Sequence, residues 1–166
     1  MTDILRIFFI ALLLIVTITA YFMVIGALFA NRITKTQHAI VAMPGRSFGV
    51  GLVNFLFFGV IAFVLLSLTD GANRVDNFVR VILLFPTVAV LVFLGILLTF
   101  GLVGTANILG ERIFPEHAIL MQKAMGAVIL CVACALPFAG WFLLLPYVSF
   151  TGIGAFILGL FQREIK

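Results

Sequence analysis

Long apolar runs dominate this chain, and short segments between them carry most of its charged residues. A bilayer core of about 30 Å needs roughly 20 residues of α-helix. Three runs reach that length and predict membrane-spanning helices at about 4–31, 47–69 and 78–109. A fourth uncharged stretch, from Ala124 to Gln162, contains 39 residues. As a single helix it would extend about 58 Å, which is too long for one crossing.

Pro137 and Gly140 interrupt the fourth stretch near its middle. Proline removes a helical hydrogen-bond donor, and glycine permits the positive φ of a tight reversal. Trp141 follows, and tryptophan prefers the boundary between acyl chains and headgroups. We therefore predict a Pro-Gly-Trp hairpin with helices at about 118–136 and 141–161 and the positive φ on Gly140. Whether the first arm crosses the bilayer fully stays open.

The basic residues give an independent test of this threading, because cytoplasmic segments carry an excess of Lys and Arg. Arg32, Lys35 and Arg46 follow the first span without an acidic residue among them. The hairpin places seven basic residues on one side of the membrane and three on the other, whereas a single crossing divides them five and five. We predict a cytoplasmic C-terminus, an N-terminus outside, and a cytoplasmic location for these three residues.

The segment between the first two spans has a pattern of its own. Ile33, Ile40, Val41 and Met43 alternate with polar residues. This pattern predicts a short helix at 33–43 along the inner membrane surface, where its basic residues would meet anionic headgroups. An irregular loop with a few anchoring side chains is the alternative.

Composition narrows the class of protein. With 64% hydrophobic and 10% charged residues, the chain lacks the polar surface of a soluble domain. We predict a single all-α integral membrane domain over residues 1–166, with three long spans and the hairpin making four to five membrane segments. The first run is too long for a secretory signal and predicts a retained helix. The net charge of +4 is scattered, so no nucleic-acid partner is expected.

Two groups of residues raise the question of chemistry. Cys131 and Cys134 have the spacing of dithiol oxidoreductases and would share one helical face. No basic residue or histidine lies near them in sequence, so a packing role is favoured and a thiol oxidoreductase ranks third among our hypotheses. His38 and His117 fall in loops, and we predict no metal and no cofactor held by this chain.

Polar groups inside the spans are few. No ionisable residue falls within the predicted helical cores, whereas transporters usually keep such groups at membrane depth. Asn54 and Asn107 are the strongest polar candidates, and we predict that each bonds to a neighbouring helix or caps a helix end. A small oligomeric channel or transporter remains the second hypothesis.

Small and bulky residues predict packing surfaces. The last helix carries a stripe of small residues that would let another helix approach closely, either from this chain or from a partner. The third span has a similar notch. The phenylalanines of the second span predict a surface that faces lipid or a large partner. The stripe consists of Ser149, Gly152, Ala155 and Gly159. The notch consists of Gly101, Gly104 and Thr105. The phenylalanine surface consists of Phe55, Phe57, Phe58 and Phe63.

Three segments carry a likeness to a known family: AMPGRSFGVGLVNF, NILGERIF and KAMGAVILCVACALPFAGWFLLLPYVSFTGIGAFIL. Together they resemble a bacterial four-to-five-helix membrane domain often found with bactofilin-like, polymer-forming proteins, over roughly residues 32–160. The resemblance implies a non-enzymatic module of the bacterial inner membrane. Because no β-rich repeat domain is attached here, we expect a scaffold, anchor or accessory subunit whose partners are other integral membrane proteins or further copies.

Overall fold

The computed structural model describes residues 2–72, 77–136 and 138–161. These residues form six α-helices and one short π-helical segment, with no strand among them, and the predicted all-α class is confirmed. Pro137 of the predicted turn lies outside the described residues. The helices are α1 (Thr2–Leu28), α2 (Ala30–Ala42), α3 (Pro44–Ala72), α4 (Asn77–Ile113), α5 (Ile119–Ala135) and α6 (Leu145–Phe161), and the π segment is Ala139–Leu144.

Four helical stretches in the described residues are long and apolar enough to cross a membrane: Leu5–Leu28, Pro44–Gly71, Phe78–Ile113 and Ala139–Phe161. The last stretch joins the π segment to α6. Helix α5 is apolar but shorter. The chain is therefore an all-α membrane protein.

Helix α2 occupies the segment after the first span. Phe29, with φ −119° and ψ 35°, separates it from α1, so α1 ends three residues before the predicted boundary. Ile33, Thr36 and Ala39 recur at helical spacing and are buried, and the helix packs against α4 and α6. Its inner face thus contributes to the bundle itself.

Helices α3 and α5 both run antiparallel to α4. Gly110 meets Gln122 and Gly126 meets Ala106, which makes α4 and α5 antiparallel. Helices α3 and α4 are also antiparallel, because the hydroxyl groups of Thr69 and Thr87 lie 3.5 Å apart while the rings of Phe58 and Phe93 are in contact further along.

Helix α6 runs in the same direction as α4. Leu145 lines a cavity with Leu98, and Gly152 meets Gly101 further along. Gly159 then meets α2 next to the point where α2 contacts Gly104. The two hairpin arms therefore run in opposite directions, but they pack on different helices: α5 on α4 and α1, and α6 on α3, α4 and α2.

The turn between the arms differs from the prediction in one respect. The assignment of the positive φ to Gly140 is wrong, because the positive value falls on Phe138, with φ 67° and ψ −71°. Gly140 instead lies in the π segment, where a side chain would collide with the carbonyl oxygens of Ala133 and Cys134. Glycine is required at position 140 because the backbone packs closely on the end of α5, and not because of a left-handed backbone conformation.

Two expectations about side chains in α3 also change. The Asn54 side chain donates to the carbonyl oxygen of Val50 in its own helix, at 2.9 Å, and not to a neighbouring helix. Phe57 and Phe63 are exposed as predicted, but Phe55 is partly buried against Phe150. Phe58 is likewise partly buried, against α4. The phenylalanine surface is therefore only half available to lipid or a partner.

Candidate functional site

Glycines bring α6 into backbone contact with two helices at once. A side chain on Gly154 would collide with the Ser47 carbonyl oxygen of α3, and one on Gly51 with the Phe150 carbonyl oxygen of α6. On the other face of α6, Gly152 lies against Gly101 of α4. These crossings are as close as two helices can approach.

The predicted small-residue stripe lies inside the subunit. Its four members are all buried, and Gly159 faces the backbone of Lys35 in α2. In the notch, Gly104 receives the Thr36 side chain, and Thr105 donates to the Gly101 carbonyl oxygen at 3.0 Å. The stripe and most of the notch are thus occupied by helices of this chain, so they offer no docking groove to another protein.

A second glycine contact joins α4 and α5, and sequence reasoning missed it. A side chain on Gly126 would collide with the Ala106 carbonyl oxygen, and one on Gly110 with the Gln122 carbonyl oxygen. These two glycines are isolated in sequence and form no stripe. The only signal for them was that each belongs to an apolar helix, where glycine usually has a packing reason.

An apolar cavity of about 360 Å³ lies between α1, α4, α5 and α6. Cys131 and Cys134 both line it, as expected for residues on one helical face. Phe22 and Leu130, both buried, are among its lining residues. The lining residues include no acidic, basic or imidazole group that would activate a thiol.

Polar side chains gather instead at the opposite end of α5, where α4 ends. A cavity of about 210 Å³, which we call the polar cavity, is lined by Gln37 of α2, Asn107 and Glu111 of α4, and Gln122 and Lys123 of α5. The Gln122 amide nitrogen lies 3.0–3.2 Å from the carbonyl oxygens of residues 114, 115 and 117 and fixes the connection between α4 and α5. Asn107 is buried.

A neighbouring cavity of about 460 Å³, the outer cavity, is lined by His38 and Arg112. It shares Thr34, Gln37 and Glu111 with the polar cavity. Between the two, the Gln37 amide nitrogen is buried and has no hydrogen-bond partner. Sequence reasoning missed this group, since residues from three helices that are distant in sequence compose it.

The predicted basic surface residues lie in α2 and at the start of α3. Arg32 and Arg46 are exposed and Lys35 is partly buried. Arg46 reaches the Met43 sulfur at 3.8 Å. Together with Arg112 and Lys123 they make one end of the molecule basic, and we call it the basic end. Trp141 is exposed at the hairpin turn.

Comparison with protein-family models, with curated protein sequences and with solved structures finds no match for this chain. Within the described residues, no three His, Cys, Asp or Glu side chains are grouped so as to hold a metal ion.

Proposed function

We propose that this protein is a non-enzymatic membrane subunit that anchors or organises other integral membrane proteins. The observation that carries the proposal is the sparse attachment of α1. Only 6% of its most apolar window is buried inside the chain, against 11% for each of the two middle spans and 44% for the last span. A full-length membrane helix held on one side leaves an apolar surface free for a partner helix.

The positions of the charged groups support a structural role over transport. Arg6, Asp70, Arg80, Glu111 and Lys123 lie near helix ends, and the cavity between α1, α4, α5 and α6 has an almost entirely apolar lining. A path for ions or polar solutes would need polar groups or backbone carbonyls at membrane depth. A small oligomeric channel is therefore the weaker hypothesis.

We also propose that the membrane is the bacterial inner membrane and that the basic end faces the cytoplasm. Arg32, Lys35, Arg46, Arg112 and Lys123 lie together at this end, as the positive-inside rule requires. The resemblance to membrane domains that accompany polymer-forming proteins adds to this hypothesis. Arg163 and Lys166, which the sequence assigns to the same side, lie outside the described residues.

Site-specific photocrosslinking in native membranes tests the proposal. A photoreactive residue at Leu13, which is 70% exposed on α1, should give an adduct with one defined protein partner. The same residue at Phe22, which is 8% exposed, should react only within the chain and is the matched control. Adducts with lipid alone would overturn the proposal, and adducts with a second copy alone, together with ion flux in liposomes, would favour the oligomeric channel.

Thiol chemistry at Cys131 and Cys134 is the third hypothesis: the two cysteines share one cavity, but no acidic, basic or imidazole group lines it. In that case the pair would be oxidised to a disulfide, and its two electrons and two protons would reduce a membrane quinone to the quinol. Replacing both cysteines by serine distinguishes the hypotheses. We expect the folded double variant to keep its crosslink to the protein partner. Loss of that crosslink with an unchanged fold would support the redox role.

A further inference from the structure

The polar cavity contains an unsatisfied hydrogen-bond donor. A buried amide nitrogen without a partner destabilises a protein, and the Gln37 nitrogen is such a group. An amide nitrogen can only donate, so the missing partner is an acceptor oxygen. This donor lies where α2, α4 and α5 converge around the cavity.

Opposite charges lie on the walls beside this donor. Lys123 of α5 lines the polar cavity, and Glu111 of α4 lines both the polar and the outer cavity. Within the described residues, neither side chain forms an ion pair. Arg112 and His38 face the outer cavity only. A ligand that fits these walls carries a negative group for Lys123 and Gln37 and a positive group for Glu111.

The position of the polar cavity favours a lipid over a soluble ligand. Gly26 of α1 lines the polar cavity, and Phe22, one helical turn away, lines the apolar cavity. Four residues of helix correspond to about 6 Å. Both cavities therefore lie along the same seam between α1, α4 and α5, so a headgroup held in the polar cavity can extend an acyl chain toward the apolar one.

We propose that the polar cavity binds the headgroup of a zwitterionic phospholipid with a primary ammonium group, such as phosphatidylethanolamine. The phosphate accepts a hydrogen bond from Gln37 and pairs with Lys123. The ammonium donates to Glu111. One acyl chain lies along the α1–α5 seam.

Lipid competition measured by native mass spectrometry tests this proposal. The detergent-purified full chain is equilibrated with equal amounts of phosphatidylethanolamine, phosphatidylcholine and phosphatidylglycerol that carry the same acyl chains. We expect phosphatidylethanolamine to be retained about three- to fivefold over phosphatidylcholine, whose quaternary ammonium cannot donate to Glu111. Equal retention of all three lipids, or preference for phosphatidylglycerol, would overturn the proposal.

Variants assign the preference to individual residues. Glu111→Gln should bring the ratio of phosphatidylethanolamine to phosphatidylcholine close to one, whereas Lys123→Gln should reduce the retention of both lipids. Arg80→Gln, which removes one basic residue near the start of α4, is the matched control and should leave retention and ratio unchanged. If Glu111→Gln keeps the wild-type ratio, the assigned ammonium contact is wrong.

A soluble competitor distinguishes a lipid from a small metabolite with the same charges. Free phosphoethanolamine at the lipid concentration should not displace bound phosphatidylethanolamine, because it lacks the chain that lies along the seam. Displacement by the free compound would overturn the assignment to a lipid.

Discussion

Helices α6 and α1 are both apolar, yet the rest of the chain holds them very differently. Helix α6 lies between α3, α4 and α2, and its glycines bring backbone against backbone. Helix α1 contacts mainly α5, and its single glycine, Gly26, has only a Val103 methyl group nearby, 3.8 Å from where a side chain would begin. Hydrophobicity therefore does not decide how firmly a helix is held here.

The difference has a simple physical origin. In a bilayer the surrounding acyl chains are as apolar as a leucine side chain, so burial of apolar area drives little association. Close packing and backbone contact supply the attraction, and both require small residues at the crossing. Helix α6 has several small residues on two faces, whereas α1 presents bulky side chains on most of its surface.

The largest effect should come from breaking the α3–α6 crossing. Gly51→Leu places a side chain into the backbone of α6, where no rotamer change relieves the overlap. We expect a loss of more than about 3 kcal/mol of stability, seen as a much lower melting midpoint or as aggregation in detergent. Gly59→Leu in the same helix is the control, since open space surrounds Gly59. Similar losses in both variants would contradict the assigned crossing.

A smaller effect is expected at the α4–α5 crossing. In Gly126→Ala a single methyl group meets the Ala106 carbonyl oxygen, and α5 must shift to accommodate it. We expect a cost of about 2 kcal/mol in thermal unfolding. Gly95→Ala in α4 has open space around it and should be neutral or slightly stabilising, because alanine favours helix. A neutral Gly126→Ala would show that α5 is held loosely, as α1 is.

Loosening α1 should leave the rest of the fold in place. Phe22 is the α1 residue most deeply inserted into the core, and α1 covers the cavity that contains the two cysteines. In Phe22→Ala we expect thiol labelling by a small apolar maleimide about tenfold faster, equivalent to about 1.4 kcal/mol in the opening equilibrium. Phe9→Ala removes an exposed ring and is the control. If labelling is equally fast in both variants, Phe22 does not anchor α1.

These comparisons show what could be predicted from the sequence. Hydropathy and length are local properties of the sequence. The four spans and the break in the last apolar stretch could therefore be predicted from the sequence alone. The stripe in α6 was visible because its members recur at helical spacing. Gly154 was missed because it lies on another face of the same helix, and its role depends on Gly51, more than a hundred residues earlier.

The sites could be predicted less well than the fold. Gln37, Glu111 and Lys123 stand in three segments of unremarkable composition, and only the crossing of α2, α4 and α5 brings them together. The hairpin turn likewise depends on packing that the local sequence does not reveal. Glycine was the natural choice for a positive φ, but packing against the end of α5 requires the glycine at position 140. The positive φ falls instead on Phe138, two residues earlier.

The smallest predicted effect is a gain in stability at this turn. Phe138 has φ 67° and is 80% exposed, so its ring contributes little packing within the chain while its backbone is strained. Phe138→Gly should raise stability by about 1 kcal/mol, because glycine adopts a positive φ without steric cost. Phe142→Gly is the matched control: Phe142 is 75% exposed but lies in the π segment, so glycine should lower stability there. If both variants lose the same amount of stability in thermal unfolding, the contacts of the Phe138 ring contribute more than its backbone strain costs. The hairpin turn would then be stabilised by contacts of that ring with its surroundings.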